Sequence, residues 1–302
     1  MKNIPYFHVD VFAARPFTGN SLAVFSENAS FDTNQMLAIT QEMRHFETIF
    51  LEPSNKPHAV KARVFDLFEE LDFAGHPVLG ASAVLHHTHA CEGEQQWTFN
   101  LPQKTVTVIS QREGNGFRCV LDQGPPKYLG QLTAADADVI CQNLNLAADD
   151  LAPELPLEVV STGLAYLIVP VRGAALAKAR ILSTDFGALL KAYGAKFVYV
   201  LDIDALEGRT WNNDGMLEDV ATGSAAGTVG AYLAKHGHQA LNKEFILRQG
   251  SYVGRPSEIR VRAIGLGGAV ESVYVGGDVA LVAACTLLSE PERETSPYPS
   301  AP

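Results

Sequence analysis

The run Glu218-Asp219-Val220-Ala221-Thr222-Gly223-Ser224-Ala225-Ala226-Gly227-Thr228-Val229-Gly230-Ala231-Tyr232-Leu233 opens on two adjacent acids and carries no charge after them. A Thr-Gly-Ser turn leads into small and apolar residues, which reads as a buried helix. Each glycine inside it costs up to about 1 kcal/mol relative to alanine, so its presence implies backbone packed closely alongside. The first turn of a helix leaves N–H groups free, which makes Gly223 and Ser224 a natural place for an anion. Acids at the mouth of such a site serve either as caps or as catalysts.

The first half of the chain repeats the pattern. Ala74-Gly75-His76-Pro77-Val78-Leu79-Gly80-Ala81-Ser82-Ala83-Val84-Leu85 aligns without a gap with Thr222–Leu233, setting Gly75 on Gly223 and His76 on Ser224. Upstream, Glu70 falls on Glu218, and Arg63 and Arg209 lie at nearby places in the two copies. One strand–turn–helix unit used twice implies two similar half-domains facing each other.

A chain of 302 residues suits two domains of about 150 each. Its 47% hydrophobic and 19% charged residues belong to an ordinary globular protein. The net charge of −11 argues against nucleic acid and against an anionic membrane surface, but a helix N-terminus still binds a small anion locally. No apolar run reaches the length of a membrane span, and no signal core opens the chain. Cys91, Cys119, Cys141 and Cys285 lack disulfide-like or metal-like spacing, which points to a reduced cytoplasm.

In chain order, Tyr6–Phe12 and Ser21–Phe25 read as strands joined by the turn Arg15-Pro16-Phe17-Thr18-Gly19-Asn20. Asp32 or Thr33 caps a helix over 34–44. In the next strand, Phe46–Leu51, Glu47 taken alone fits the polar face of a half-exposed strand. His86-His87-Thr88-His89-Ala90-Cys91, in which the first Gly-rich helix ends, has zinc-like residue types but no second ligand cluster elsewhere. Polar groups at a helix C-terminus are favourable in their own right, so no metal is expected. Gln123-Gly124-Pro125-Pro126 reads as the linker between the halves. Beyond it, Val159–Val171 reads as a strand interrupted by Ser161-Thr162-Gly163, and strands follow at 197–202, 245–249, 258–262, 270–275 and 279–288. The residues from Glu290 to Pro302 read as a tail rich in Pro, Ser and Glu. Strands in runs with few helices make the chain α+β, and neither a dinucleotide fingerprint nor a P-loop is present.

Five stretches in order carry a family resemblance: Phe17-Thr18-Gly19-Asn20-Ser21-Leu22-Ala23-Val24; Glu47-Thr48-Ile49-Phe50; Phe73-Ala74-Gly75-His76-Pro77-Val78-Leu79-Gly80; Glu218 to Ala225; and Gln249-Gly250 with Gly254-Arg255-Pro256-Ser257. Together they resemble the phenazine-biosynthesis PhzF-like family, which shares the diaminopimelate epimerase fold, over nearly the whole chain to about Leu288. The resemblance implies two pseudo-symmetric lobes, each a curved, mostly antiparallel sheet or barrel around a central helix. Residues 1–122 would form one lobe, completed by a returning segment 279–302, and 123–278 the other. It also implies a homodimer and an isomerase that moves a proton on a small anionic substrate without metal or organic cofactor.

By resemblance, the catalytic side chains are Glu47, His76, Asp219 and Ser224, with Gly75, Gly223, Asn20 and Thr222 around the substrate. Glu47 among Phe46, Ile49 and Phe50 would have a raised pKa, as proton shuttling at carbon requires. Asp219 is expected to orient or share a proton with His76. Racemases and epimerases of this fold use one cysteine per lobe, at positions matching about Ala74 and Thr222. Neither is a thiol, which argues against a thiol-pair racemase. The chain departs from the family at Ser21 and Val220, where proline is usual, and over 211–216, a segment expected to border the pocket and bear on substrate identity. Arg209 fits a structural ion pair as well as a substrate contact. A member that only binds a small acid or a protein, and a lyase or dehydratase using the same carboxylate, are the alternatives.

Overall fold

The computed structural model describes residues 3–26, 31–72 and 75–292. Phe73 and Ala74, and residues 293–302 of the tail, lie outside them.

Strand hydrogen bonding joins two halves through a single long strand, Ala269–Leu287. In the first half, Ile4–Val11, Asn20–Phe25, Glu47–Pro53, Ala59–Phe65, Glu94–Asn100, Thr105–Glu113 and Gly116–Asp122 follow one another around a ring. The far part of the long strand closes it, pairing with Gly116–Asp122 on one side and Ile4–Val11 on the other. Inside lies the first central helix, Gly75–Thr88, buried from Gly75 to His86. In the second half, the near part of the long strand continues through Ser257–Leu266, Phe245–Gln249, Glu207–Arg209, Phe197–Asp202, Ala165–Val171, Glu158–Ser161 and Lys127–Gln131. This curved sheet wraps the second central helix, Gly223–Lys235, buried from Gly223 to Leu233. Most pairings are antiparallel, so the two-lobed α+β fold is the one the sequence implied.

Alternation along the strands builds each lobe in two layers. In Ala165–Val171, Tyr166 and Ile168 join the core around the central helices. Leu167, Val169 and Val171 face outward, under the helices Ala134–Asn143 and Phe186–Ala192. The first lobe does the same with the helix Thr33–Met43, whose Met36 and Ile39 cover Phe25, Phe50 and Phe65. That helix carries a complete capping box between Asp32 and Gln35.

Two readings change. The stretch Val159–Val171 is a hairpin of two antiparallel strands, turning at Thr162-Gly163-Leu164. The stretches 270–275 and 279–288, read as separate, belong to one continuous strand. Gly276 and Gly277, between the two stretches, let the strand pass between lobes. A Cβ on Gly276 would lie 2.5 Å from the Cys119 carbonyl oxygen, and one on Gly277 would lie 2.7 Å from the Phe12 ring.

The repeat is visible in the ion pairs. Arg63 forks both oxygens of Glu70, and Arg209 forks both oxygens of Glu218, each through Nε and Nη2. Arg209 also donates to the carbonyls of Leu176, Ala177 and Ala179 and stacks against Trp211 and Tyr252. These contacts fit the structural ion pair, and Arg209 does not line the cavity between the lobes. Among the described residues, no helix is long and apolar enough to cross a membrane.

Candidate active site

The N-termini of the two central helices abut between the lobes. A Cβ on Gly75 would stand 3.0 Å from the backbone nitrogen of Ser224 and 3.1 Å from the carbonyl carbon of Gly223. One on Gly223 would meet the Phe12 ring at 3.1 Å and the His76 nitrogen at 3.4 Å. Glycine lets both helix starts approach this closely without the neighbours having to give way. Their free N–H groups and positive dipole ends therefore converge on one place.

That place opens into a cavity of about 930 Å³, its mouth included, lined by Glu47, Gly75, His76, Asp219, Thr222, Gly223 and Ser224. Asn20 is not in the wall; it stands behind Asp219. Glu47 reaches the cavity because strand alternation puts it on the same inward face as Ile49 and Leu51, at the strand end nearest the helix start. It is 8% exposed, so the half-exposed polar face that the strand alone suggested is not what forms. Glu47 Oε2 lies 3.5 Å from His76 Nδ1. Among the described residues, neither Glu47 Oε2 nor His76 Nε2 has a hydrogen-bond partner. Two unpartnered buried polar atoms facing one cavity are costly for the protein alone.

Electrostatics separates the two carboxyls. Burial, with the charges of Asp219 and Asp66 adding to it, holds Glu47 well above the ordinary carboxylate range. Burial also raises Asp219, but hydrogen bonds from Thr222, the Ala221 and Val220 backbone and Asn20 pull it back. Burial and nearby His45 push His76 down to about 3, so its imidazole is neutral. With His76 neutral, the Glu47–His76 approach is not an ion pair.

Asp219 does not meet His76 as expected. Its Oδ1 accepts from Asn20 Nδ2 at 2.8 Å and its Oδ2 from Thr222 Oγ1 at 2.5 Å. Gln249 completes this corner, donating to the Asp219 carbonyl oxygen and to Thr222 Oγ1 while accepting from the Thr222 N–H. The turn carrying Asn20 is held in turn by Arg255, which donates to the Gly19 and Thr18 carbonyls and to Asp10 Oδ1. The first, fourth and fifth sequence stretches therefore form one brace across the lobes. Ser21, the departure from proline, pairs its hydroxyl with His45 Nδ1 at 3.0 Å.

Other residues complete the wall. Trp211 and Asn212 line it, as the 211–216 segment led one to expect, with Leu217 beside them. Phe68, Tyr166, Lys196 and Phe197 also line it and were not singled out from sequence. Tyr166 sits in an apolar strand whose pattern signals only core. Two histidines at the end of the first central helix are engaged locally: His86 with Ser110 Oγ and the Cys91 carbonyl, His89 with the Leu85 carbonyl. No group of three or more His, Cys, Asp or Glu is arranged for a metal among the described residues.

A family model described as phenazine biosynthesis-like protein (PhzC-PhzF) matches residues 9–285. The trans-2,3-dihydro-3-hydroxyanthranilate isomerase of Pseudomonas chlororaphis is 32% identical over 286 residues, covering 90% of this chain and 95% of that protein. A solved structure of a predicted epimerase from Pseudomonas aeruginosa superposes with a TM-score of 0.90 at 47% identity, covering 95% of this chain and 99% of that one. A PhzF-family protein from Bacillus anthracis shares the fold at a TM-score of 0.81 and 22% identity, covering 96% of this chain and 100% of that one. The chain belongs to the PhzC-PhzF phenazine biosynthesis-like family. It is an isomerase of the PhzF-like type.

Proposed function

We propose that the cavity isomerises a small carboxylate-bearing substrate, cyclic or amino-acid-like, by moving a proton between carbons through Glu47. The observation that carries this is the buried Glu47 carboxyl, unpartnered at Oε2 and 3.5 Å from His76, beside two abutting helix N-termini. The substrate carboxylate docks on the free N–H groups at Gly75-His76 and Gly223-Ser224. Ionised Glu47 removes a carbon-bound proton, becomes neutral as its surroundings favour, and delivers that proton to another carbon. A carboxyl whose pKa burial raises holds a proton more readily than an ordinary one, which suits both halves of such a transfer. His76, neutral with Nε2 unpartnered, faces the charge that develops in between. Asp219, fixed by Asn20 and Thr222, adds to the burial that raises the Glu47 carboxyl.

The reading extends to a lobe of residues 1–122 completed by the strand from 279, a lobe of 123–278, a homodimer and residence in the cytoplasm. Light scattering on purified protein tests the dimer.

The test of the chemistry is incubation of small amino-hydroxy and cyclic carboxylic acids with the protein in heavy water. Solvent deuterium at carbon in an isomerised product supports the proposal. Loss of water would assign a lyase instead, and tight ligands with neither exchange nor product would assign a binding protein.

A further inference from the structure

Beyond the residues already assigned, one hydroxyl pair in the wall has a direct bearing on how an anion is held. Tyr166 is 3% exposed, lines the cavity, and places its hydroxyl 2.8 Å from Ser224 Oγ. Strand alternation turns Tyr166 inward beside Ile168, toward the start of the second central helix. Its ring packs 5.6 Å from Phe197, another wall residue. Among the described residues, each hydroxyl of the pair has the other as its hydrogen-bond partner.

Each hydroxyl carries one proton and can accept as well. The geometry lets either hydroxyl donate; a phenol is by nature more acidic than an alcohol, and on that ground we assign Tyr166 as donor and Ser224 Oγ as acceptor. The Ser224 proton is then left to point away from Tyr166, into the cavity, at the same corner as the free N–H groups of the second helix. A hydroxyl that accepts from one neighbour while donating to another is also the stronger donor.

We infer that Tyr166 is a positioning residue that fixes the Ser224 hydroxyl as a donor to the substrate's carboxylate, making this corner selective for a carboxylate over its neutral amide. The carboxylate docking proposed above is the premise. An amide nitrogen facing the Ser224 proton would set donor against donor, whereas either carboxylate oxygen accepts it. Without the phenol, Ser224 is free to rotate and accept, so the discrimination fades.

The experiment is an NMR titration of benzoate, anthranilate and cyclohexanecarboxylate, each against its primary amide, into wild type, Tyr166→Phe, Ser224→Ala and the double variant. Tyr166→Phe keeps the ring and its packing, and thermal unfolding verifies that each variant is folded. The wild type is expected to favour the carboxylates. Tyr166→Phe should weaken carboxylates about three- to tenfold and leave amides unchanged, the effect of one hydrogen bond. In the Ser224→Ala background the same change should cost nothing further, because Tyr166 acts through Ser224. Equal carboxylate preference in wild type and Tyr166→Phe, or losses that simply add, would overturn the inference while leaving the docking site in place. A wild type without carboxylate preference would overturn the docking site itself, and this inference with it.

Discussion

Asn20 and Asp219 lie 199 residues apart in sequence, yet the Asn20 side-chain nitrogen donates to the Asp219 carboxylate at 2.8 Å, with the Ala221 carbonyl as its second acceptor. One amide thus ties the N-terminal turn to the corner that starts the second central helix. Removing it strips a donor from a buried carboxylate. Asn20→Ala should cost about 1–3 kcal/mol of stability, the price of an unsatisfied buried group. Urea unfolding at neutral pH reads the loss, and an unchanged midpoint would show that Asn20 is no brace.

Close approach of the helix starts makes a second prediction. In Gly75→Ala the new methyl would crowd the Ser224 nitrogen and the Gly223 carbonyl carbon, which are backbone atoms and have no rotamer to escape into. The expected loss is about 1–3 kcal/mol, as for other overpacked sites. Carboxylate ligands should weaken as well, because the two sets of N–H groups are pushed apart. Circular dichroism melts and ligand titration check both.

The raised carboxyl of Glu47 makes a third. A group whose pKa is higher folded than unfolded gives stability that is full below its unfolded pKa and lost as pH rises through the folded one. Relative to Glu47→Gln, the wild type should therefore lose stability as pH climbs above the ordinary glutamate value of 4.5. The difference should level off beyond the raised value and vanish in acid. His76 runs the other way: held down to about 3 from an ordinary 6.5, it contributes stability above 6.5 that is lost as pH falls toward 3. Both proteins keep His76, so that loss cancels in the comparison. Melting temperatures from pH 4 to pH 9 measure it, and a difference that does not vary with pH would contradict the raised pKa.

What was legible in the chain was mostly what backbone geometry forces. Gly75 and Gly223 are glycine because peptide planes meet there, and the ion pairs Arg63–Glu70 and Arg209–Glu218 repeat because the unit does. Strand alternation by itself would have turned Glu47 inward with Ile49 and Leu51, but a lone carboxylate in a strand also fits a wet face. Recognising the neighbouring motifs was needed to choose. Contacts across the lobes were not legible. Nothing near Asp219 in sequence names Asn20 as its partner, so His76 looked the natural one. Tyr166 was hidden for a different reason: an aromatic residue in a Val- and Leu-rich strand fits core packing, and only the fold sets its hydroxyl beside Ser224. Nor was the continuity of 269–287 legible, because the close crossing at Gly276 and Gly277 exists only in the fold.

The central claim is that Glu47 carries the proton, and its most direct test pairs wild type with Glu47→Gln in heavy water on a substrate found by the screen. Glutamine keeps the shape and gives up the proton, so turnover and deuterium incorporation should fall by about 10²- to 10⁴-fold, the usual share of a general acid–base group. Ligand affinity should stay within a few-fold. Deuterium entering product at the wild-type rate in Glu47→Gln would contradict the account.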